Sequence, residues 1–235
     1  MTDGRPVVTF ALIAICVAVF LVQWVSPSFT DDFAFRPVQG WVEPWRFVTA
    51  MFLHSPGSLM HIGFNMYALY VLGSYLEPLM GRARFLALYL VSGIGGQVAL
   101  LLLAGSPTVA GLAAGQDRAW ITPVVGASGA IFGLFGALIV LNRHLNRSVA
   151  GIYGIVLINA VLGFIIPNVA WQAHLGGFVV GLAGAGVIVL ARRRTLPALA
   201  WSGLVGLLVL LVAVAVVKYL TVPDMIRELT AFRAG

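Results

Sequence analysis

Four residues able to do acid–base or nucleophilic chemistry lie inside otherwise apolar runs. They are Ser128 in GASGAIFG, His174 in WQAHLGG, and His61 and Asn65 in HIGFN. A serine hydroxyl is a weak nucleophile until a base takes its proton. An imidazole has an unperturbed pKa of about 6.5, is mostly neutral at pH 7 and can take that proton. No Asp or Glu lies in the same part of these runs, because Glu77 closes one at its far end and Asp117 lies in a connection. A Ser128–His174 dyad is therefore expected rather than a triad. A carbonyl under attack also needs donors aimed at the charge developing on its oxygen. Ser128 stands where an apolar helix would begin, and the first amides of a helix lack partners within it. His61 and Asn65 are four residues apart, on one helix face, and offer side-chain donors.

The elements that must position these residues are membrane helices. The 235-residue chain is 60% hydrophobic and only 9% charged, far from the quarter or so of charged residues usual in soluble domains. Seven apolar spans are expected, at 8–26, 58–77, 84–104, 125–142, 149–166, 172–191 and 197–219. The fold class is thus all-α, a polytopic helical bundle. The first span lacks a small-residue cleavage site and reads as a retained helix rather than a cleaved signal. The single cysteine, Cys16, excludes an intrachain disulfide and suits a small core hydrophobe.

The net charge of +6 falls in short clusters between the spans rather than along a stripe, so it reads as a topology signal and not as a nucleic-acid surface. Arg5, Arg82, Arg84, Arg143, Arg147 and Arg192 to Arg194 share one side if the spans alternate. That side is expected to be cytoplasmic, with the N-terminus on it and the C-terminus outside. Only Lys218 among the 14 basic residues is lysine, a bias that fits a GC-rich bacterial source and its cytoplasmic membrane.

Distances along the helices place the four polar residues at one level. Ser128 precedes Arg143 by fifteen residues, or about 22 Å of helix. His174 precedes Arg192 by eighteen, about 27 Å, and Asn65 precedes Arg82 by seventeen, about 25 Å. His61 lies one turn further out. All four fall in the outer third of a ~30 Å hydrocarbon layer, where polar side chains face the bundle interior or a hydrated cavity. Gly129, Gly133 and Ala137 recur every four residues, as do Ala173, Gly177, Gly181 and Ala185. Such faces let two helices approach closely, so the fourth and sixth spans are expected to meet and join Ser128 to His174. Residues 27–57 are rich in aromatics and broken by Pro and Gly, as suits a loop in the outer interface. Met225, Ile226, Leu229 and Phe232 recur at helical spacing and suggest a short surface helix.

These residues resemble the rhomboid family of intramembrane serine proteases. The matching pieces are Gly126-x-Ser128-Gly129, His61-x-x-x-Asn65, and Ala173-His174 followed by Gly177-x-x-x-Gly181. Trp45-Arg46 in the first outer loop and Gly73-x-x-x-Glu77-x-x-x-Gly81 also match. The resemblance covers roughly 8–191. It implies a six-helix catalytic core over 1–195, with 196–235 an added helix and short outer tail. It implies hydrolysis of transmembrane protein substrates in the lipid bilayer, near the outer face and without metal or cofactor. Ser128 would be the nucleophile and His174 the general base. His61, Asn65 and the Ser128 amide would form the oxyanion hole. His54 matches a loop histidine of some members, and packing explains it equally well. Phe132 stands where many members carry Tyr, which removes a hydroxyl but leaves a ring to pack on His174. A silent family member that escorts membrane proteins would typically lack the Ser or the His. A small transporter would favour a midplane site and internal repeats.

Overall fold

The apolar runs become helices close to the limits their composition sets. The computed structural model describes residues 5–165 and 169–227. The long helices are α1 (Val7–Val25), α4 (Leu59–Met80), α5 (Arg82–Leu103), α8 (Ser128–His144), α9 (Ala150–Ile165), α10 (Trp171–Arg193) and α11 (Pro197–Leu220). Shorter ones lie in the connections: α2 (Pro27–Phe33), α3 (Arg46–Thr49), α6 (Val109–Ala113) and α7 (Arg118–Ile121). No strand occurs among the described residues, only an isolated antiparallel bridge between Phe35 and Val124. The chain is an all-α helical bundle and an integral membrane protein. Four helices, α1, α5, α10 and α11, are long and apolar enough to cross a membrane. α4 has the length, but His61, Asn65 and its tyrosines dilute its apolarity.

α8 is the short central helix. Its 17 residues make about 25 Å, less than the ~30 Å hydrocarbon layer. Ser128 is its first residue. The stretch before it is anchored, since the Gly126 amide donates to the Ala50 carbonyl at 3.0 Å.

α5, α8 and α10 pack on one another through small residues. A Cβ on Gly177 would strike the Gly129 carbonyl oxygen, and one on Gly181 would strike that of Gly133. One on Gly96 would come within 2.7 Å of the Ala173 carbonyl oxygen. The expected contact between the fourth and sixth spans is thus a backbone-to-backbone approach that only glycine permits.

The far end of the bundle is locked by a buried carboxylate. Glu77, 2% exposed, accepts the Val8 and Thr9 amides at 2.9 and 2.8 Å and the Thr9 hydroxyl at 2.8 Å. It thereby satisfies first-turn donors of α1 that the helix leaves open. Gly73 leaves room for Thr9 against α4, and Gly81 turns the chain into α5 at φ 84°.

The loop between α1 and α4 is organised around Arg46, 3% exposed. Its guanidinium donates to the Asp31 and Ala34 carbonyls at 2.7 and 2.8 Å and pairs with Glu43. Trp45, its neighbour, is half exposed. α11 packs along α10 and α5, and at its outer end the Tyr219 hydroxyl donates to the Pro37 carbonyl at 2.8 Å. The expected surface helix near the C-terminus is seen only at its start. Residues 224–227 are helical and Ile226 is buried against the outer cluster around Trp120. Leu229 and Phe232 lie outside the described residues.

Candidate active site

Ser128 opens α8, and His174 sits in the first turn of α10. The glycine contact between these helices brings Ser128 Oγ to 2.8 Å from His174 Nε2. Both residues are partly buried. When Nε2 accepts the hydroxyl's hydrogen bond, the neutral ring carries its one proton on Nδ1. That nitrogen is buried and has no hydrogen-bond partner among the described residues. It faces Gly163 of α9, where an added Cβ would sit 3.5 Å away. Among the described residues, no carboxylate orients the ring. Phe132 does so instead: its ring stacks on the imidazole with centroids 4.2 Å apart and planes 8° from parallel.

His61 approaches from α4. Its Nε2 lies 3.0 Å from the point a Cβ on Gly126 would occupy, and Ser128 Oγ lies 3.7 Å from the same point. Gly126 adopts φ +131°, so the position favours glycine on both steric and conformational grounds. The Ser55 amide donates to His61 Nδ1 at 3.2 Å, which assigns the neutral ring's proton to Nε2, the atom facing the serine. Ser58 caps α4 by accepting the His61 amide at 3.2 Å. Asn65, 7% exposed, lies one turn along and donates from Nδ2 to the His61 carbonyl at 2.7 Å. Its second amide hydrogen stays available.

One contributor escaped the sequence reading. Gln23, near the end of α1, donates to the His54 carbonyl at 2.8 Å and accepts the His54 amide at 3.0 Å. It thereby holds the chain that leads to Ser55 and His61. Its signal was a lone amide in an apolar run. His54 is fully buried and its ring centroid lies 5.3 Å from that of His61. Burial first, and the neighbouring His61 second, push its pKa down to about 4, against a weak opposing pull from the Phe52 backbone. Trp45, Arg46, Gly73, Glu77 and Gly81 lie away from the dyad, in the outer loop and at the far end of the bundle. Among the described residues, no group of three or more His, Cys, Asp or Glu could hold a metal ion.

Comparison with known proteins finds a family model described as the Rhomboid domain over residues 42–192. The chain is 30% identical over 179 residues to "Rhomboid protease GluP" of Bacillus subtilis, covering 71% of this chain and 32% of that protein. It is 30% identical over 149 residues to "Rhomboid protease AarA" of Providencia stuartii, covering 58% and 51%. To "Rhomboid protease GlpG" of Haemophilus influenzae it is 28% identical over 171 residues, covering 68% and 77%. The chain thus spans about a third of the first of these relatives and about half of the second.

Proposed function

The chain belongs to the rhomboid family, and on that footing we propose that it is an intramembrane serine endopeptidase. It would cleave transmembrane protein substrates near the outer membrane face. The reading rests above all on the 2.8 Å hydrogen bond between Ser128 Oγ and His174 Nε2.

The chemistry follows from the atoms at hand. His174 Nε2 takes the hydroxyl proton as Ser128 Oγ bonds to the substrate carbonyl carbon. The carbonyl oxygen becomes negative, and three donors suit it: the Ser128 amide at the start of α8, His61 Nε2–H, and the second amide hydrogen of Asn65. As the C–N bond breaks, His174 returns the proton to the leaving amine, and an ester on Ser128 remains. A water then gives a proton to Nε2 and adds to the ester. Collapse of that adduct releases the acid and returns the proton to Ser128 Oγ. A helical peptide bond is shielded by its own hydrogen bonds, so substrates with small or helix-breaking residues near the cleaved bond are favoured. The arginine clusters support an N-terminus on the cytoplasmic side of a bacterial inner membrane. The core enzyme would be residues 1–195, with 196–235 added to it.

A fluorophosphonate tests the reading. Detergent-purified chain is expected to be labelled, and Ser128→Ala and His174→Ala are expected to abolish labelling while keeping the fold by circular dichroism. Labelling that persists in Ser128→Ala refutes the assignment.

A further inference from the structure

At the arginine-rich end, well away from the dyad, a cavity of about 240 Å³ lies between the start of α5, the end of α10 and the start of α11. Arg84, Arg192 and Thr195 supply its polar wall, and Ile188, Pro197 and Ala200 its apolar one. No carboxylate lines it. The two arginines line the same cavity, with no opposite charge between them. Arg192 donates to the Leu79 carbonyl, which pins it in place. Arg84 Nε is buried with no hydrogen-bond partner among the described residues. The nearby carboxylate, Glu77, is already engaged by the α1 amides and lies 3.9 Å from Arg82.

A topology signal needs charge only at the surface. It does not need a guanidinium nitrogen withdrawn from water beside a second guanidinium. Arg82 and Arg84 also stand in the first turn of α5, where positive charge works against the helix dipole. Neither α5 nor α11 has an acidic residue in its first turn or a side-chain cap. An anion between the arginines would offset the repulsion between them, the unpaired Arg84 Nε and the charge at the start of α5. The volume of about 240 Å³ leaves room for a phosphate group.

We propose that this cavity is a binding site for a phosphate-bearing anion held by Arg84 and Arg192. Basic pockets between membrane helices on the cytoplasmic side suit lipid headgroups, and the apolar wall of Ile188, Pro197 and Ala200 suits the glycerol end of a phospholipid. Free phosphate carries the same chemistry, and the test separates the two.

The purified full chain in uncharged detergent is titrated with phosphatidylglycerol, phosphatidylcholine or inorganic phosphate while its unfolding temperature is followed. Phosphatidylglycerol is expected to raise that temperature and phosphatidylcholine to leave it unchanged. Inorganic phosphate alone giving the same rise identifies a free anion as the ligand; no rise with it identifies the lipid headgroup. Arg84→Gln is expected to shift the titration midpoint about fivefold, the effect of one basic side chain on anionic lipid. Arg143→Gln, with the same charge change at the same end, leaves the midpoint in place. Ala200→Leu fills the cavity at constant charge and is expected to weaken the response as well, so the proposal stays testable if loss of Arg84 unfolds the chain. No response to either anion, or an equal shift in Arg143→Gln, overturns it.

Discussion

Phe132 lies flat on the His174 ring, and its position bears directly on the geometry of the dyad. Without a carboxylate behind Nδ1, the imidazole is held by its serine bond on one side and this stack on its face. An aromatic pair contributes about 0.5–1.5 kcal/mol beyond simple burial. Phe132→Leu keeps the volume apolar but removes the flat surface. It is expected to slow fluorophosphonate labelling by about two- to tenfold, the rate equivalent of that energy, with little change in unfolding temperature. A labelling rate equal to the parent's would show that the stack positions nothing. His54 makes a different prediction. Its folded pKa of about 4 lies below the ordinary 6.5, so the unfolded chain binds a proton more readily than the folded one. Above pH 6.5 the ring is neutral in both states, and no proton-linked stability is lost. Stability is then lost as pH falls from about 6.5 towards 4. His54→Phe fills the same buried volume without a titrating group. Its unfolding temperature is expected to fall less than the parent's between pH 6.5 and 4, and parallel curves would contradict the buried-histidine account.

At the level of elements, the dyad depends on how closely α8 and α10 approach. A Cβ at position 177 would meet the Gly129 carbonyl oxygen, a backbone atom that cannot rotate away. Gly177→Ala must therefore push the two helices apart at the turn next to Ser128 and His174. It is expected to lower labelling at least tenfold and to lower the unfolding temperature. Gly186, on the same helix α10, has nothing within 4 Å of such a Cβ. Gly186→Ala is expected to leave labelling intact and to stabilise slightly, since alanine favours helix by roughly 1 kcal/mol over glycine. Equal effects of the two substitutions would remove the packing argument. This contact was legible in the sequence because period-four small residues leave a trace in composition, as do long apolar runs. Ser128, His174 and His61 were legible because polar atoms inside such runs are rare. Other features left no such trace. The Ser55 amide on His61 and the His54 groups that Gln23 clamps are backbone groups every residue carries. The short α6 and α7 lie in a connection with no sustained apolar period. Asn65 was expected on the His61 face by its i, i+4 spacing, and its bond to the His61 carbonyl depends on a rotamer that spacing does not determine.

At the scale of the whole molecule, α11 ties the two ends of the bundle together. Near its start, Ala200 and Leu204 join the main core. Near its end, Tyr219 is 3% exposed and packs against Trp41 and Trp120, and its hydroxyl donates to the Pro37 carbonyl 182 residues away. Gly40 leaves the space for that hydroxyl, since a Cβ there would strike it. The outer loop that carries Arg46 and His54 thus rests on the last helix as well as on the core. Tyr219→Phe keeps the ring contacts and removes one buried hydrogen bond, leaving the Pro37 carbonyl with only the Gly40 amide at 3.4 Å, at a cost of about 0.5–1.5 kcal/mol. That cost falls on the loop, because the helix itself keeps its apolar packing. The variant is expected to be cut faster by an added soluble protease within residues 27–57, while fluorophosphonate labelling stays within about twofold of the parent, because neither Ser128 nor His174 touches Tyr219. Unchanged cutting would mean that α11 is merely appended to the core. Faster cutting together with lost labelling would mean that the loop and the dyad form a single cooperative unit, with the last helix part of the catalytic body.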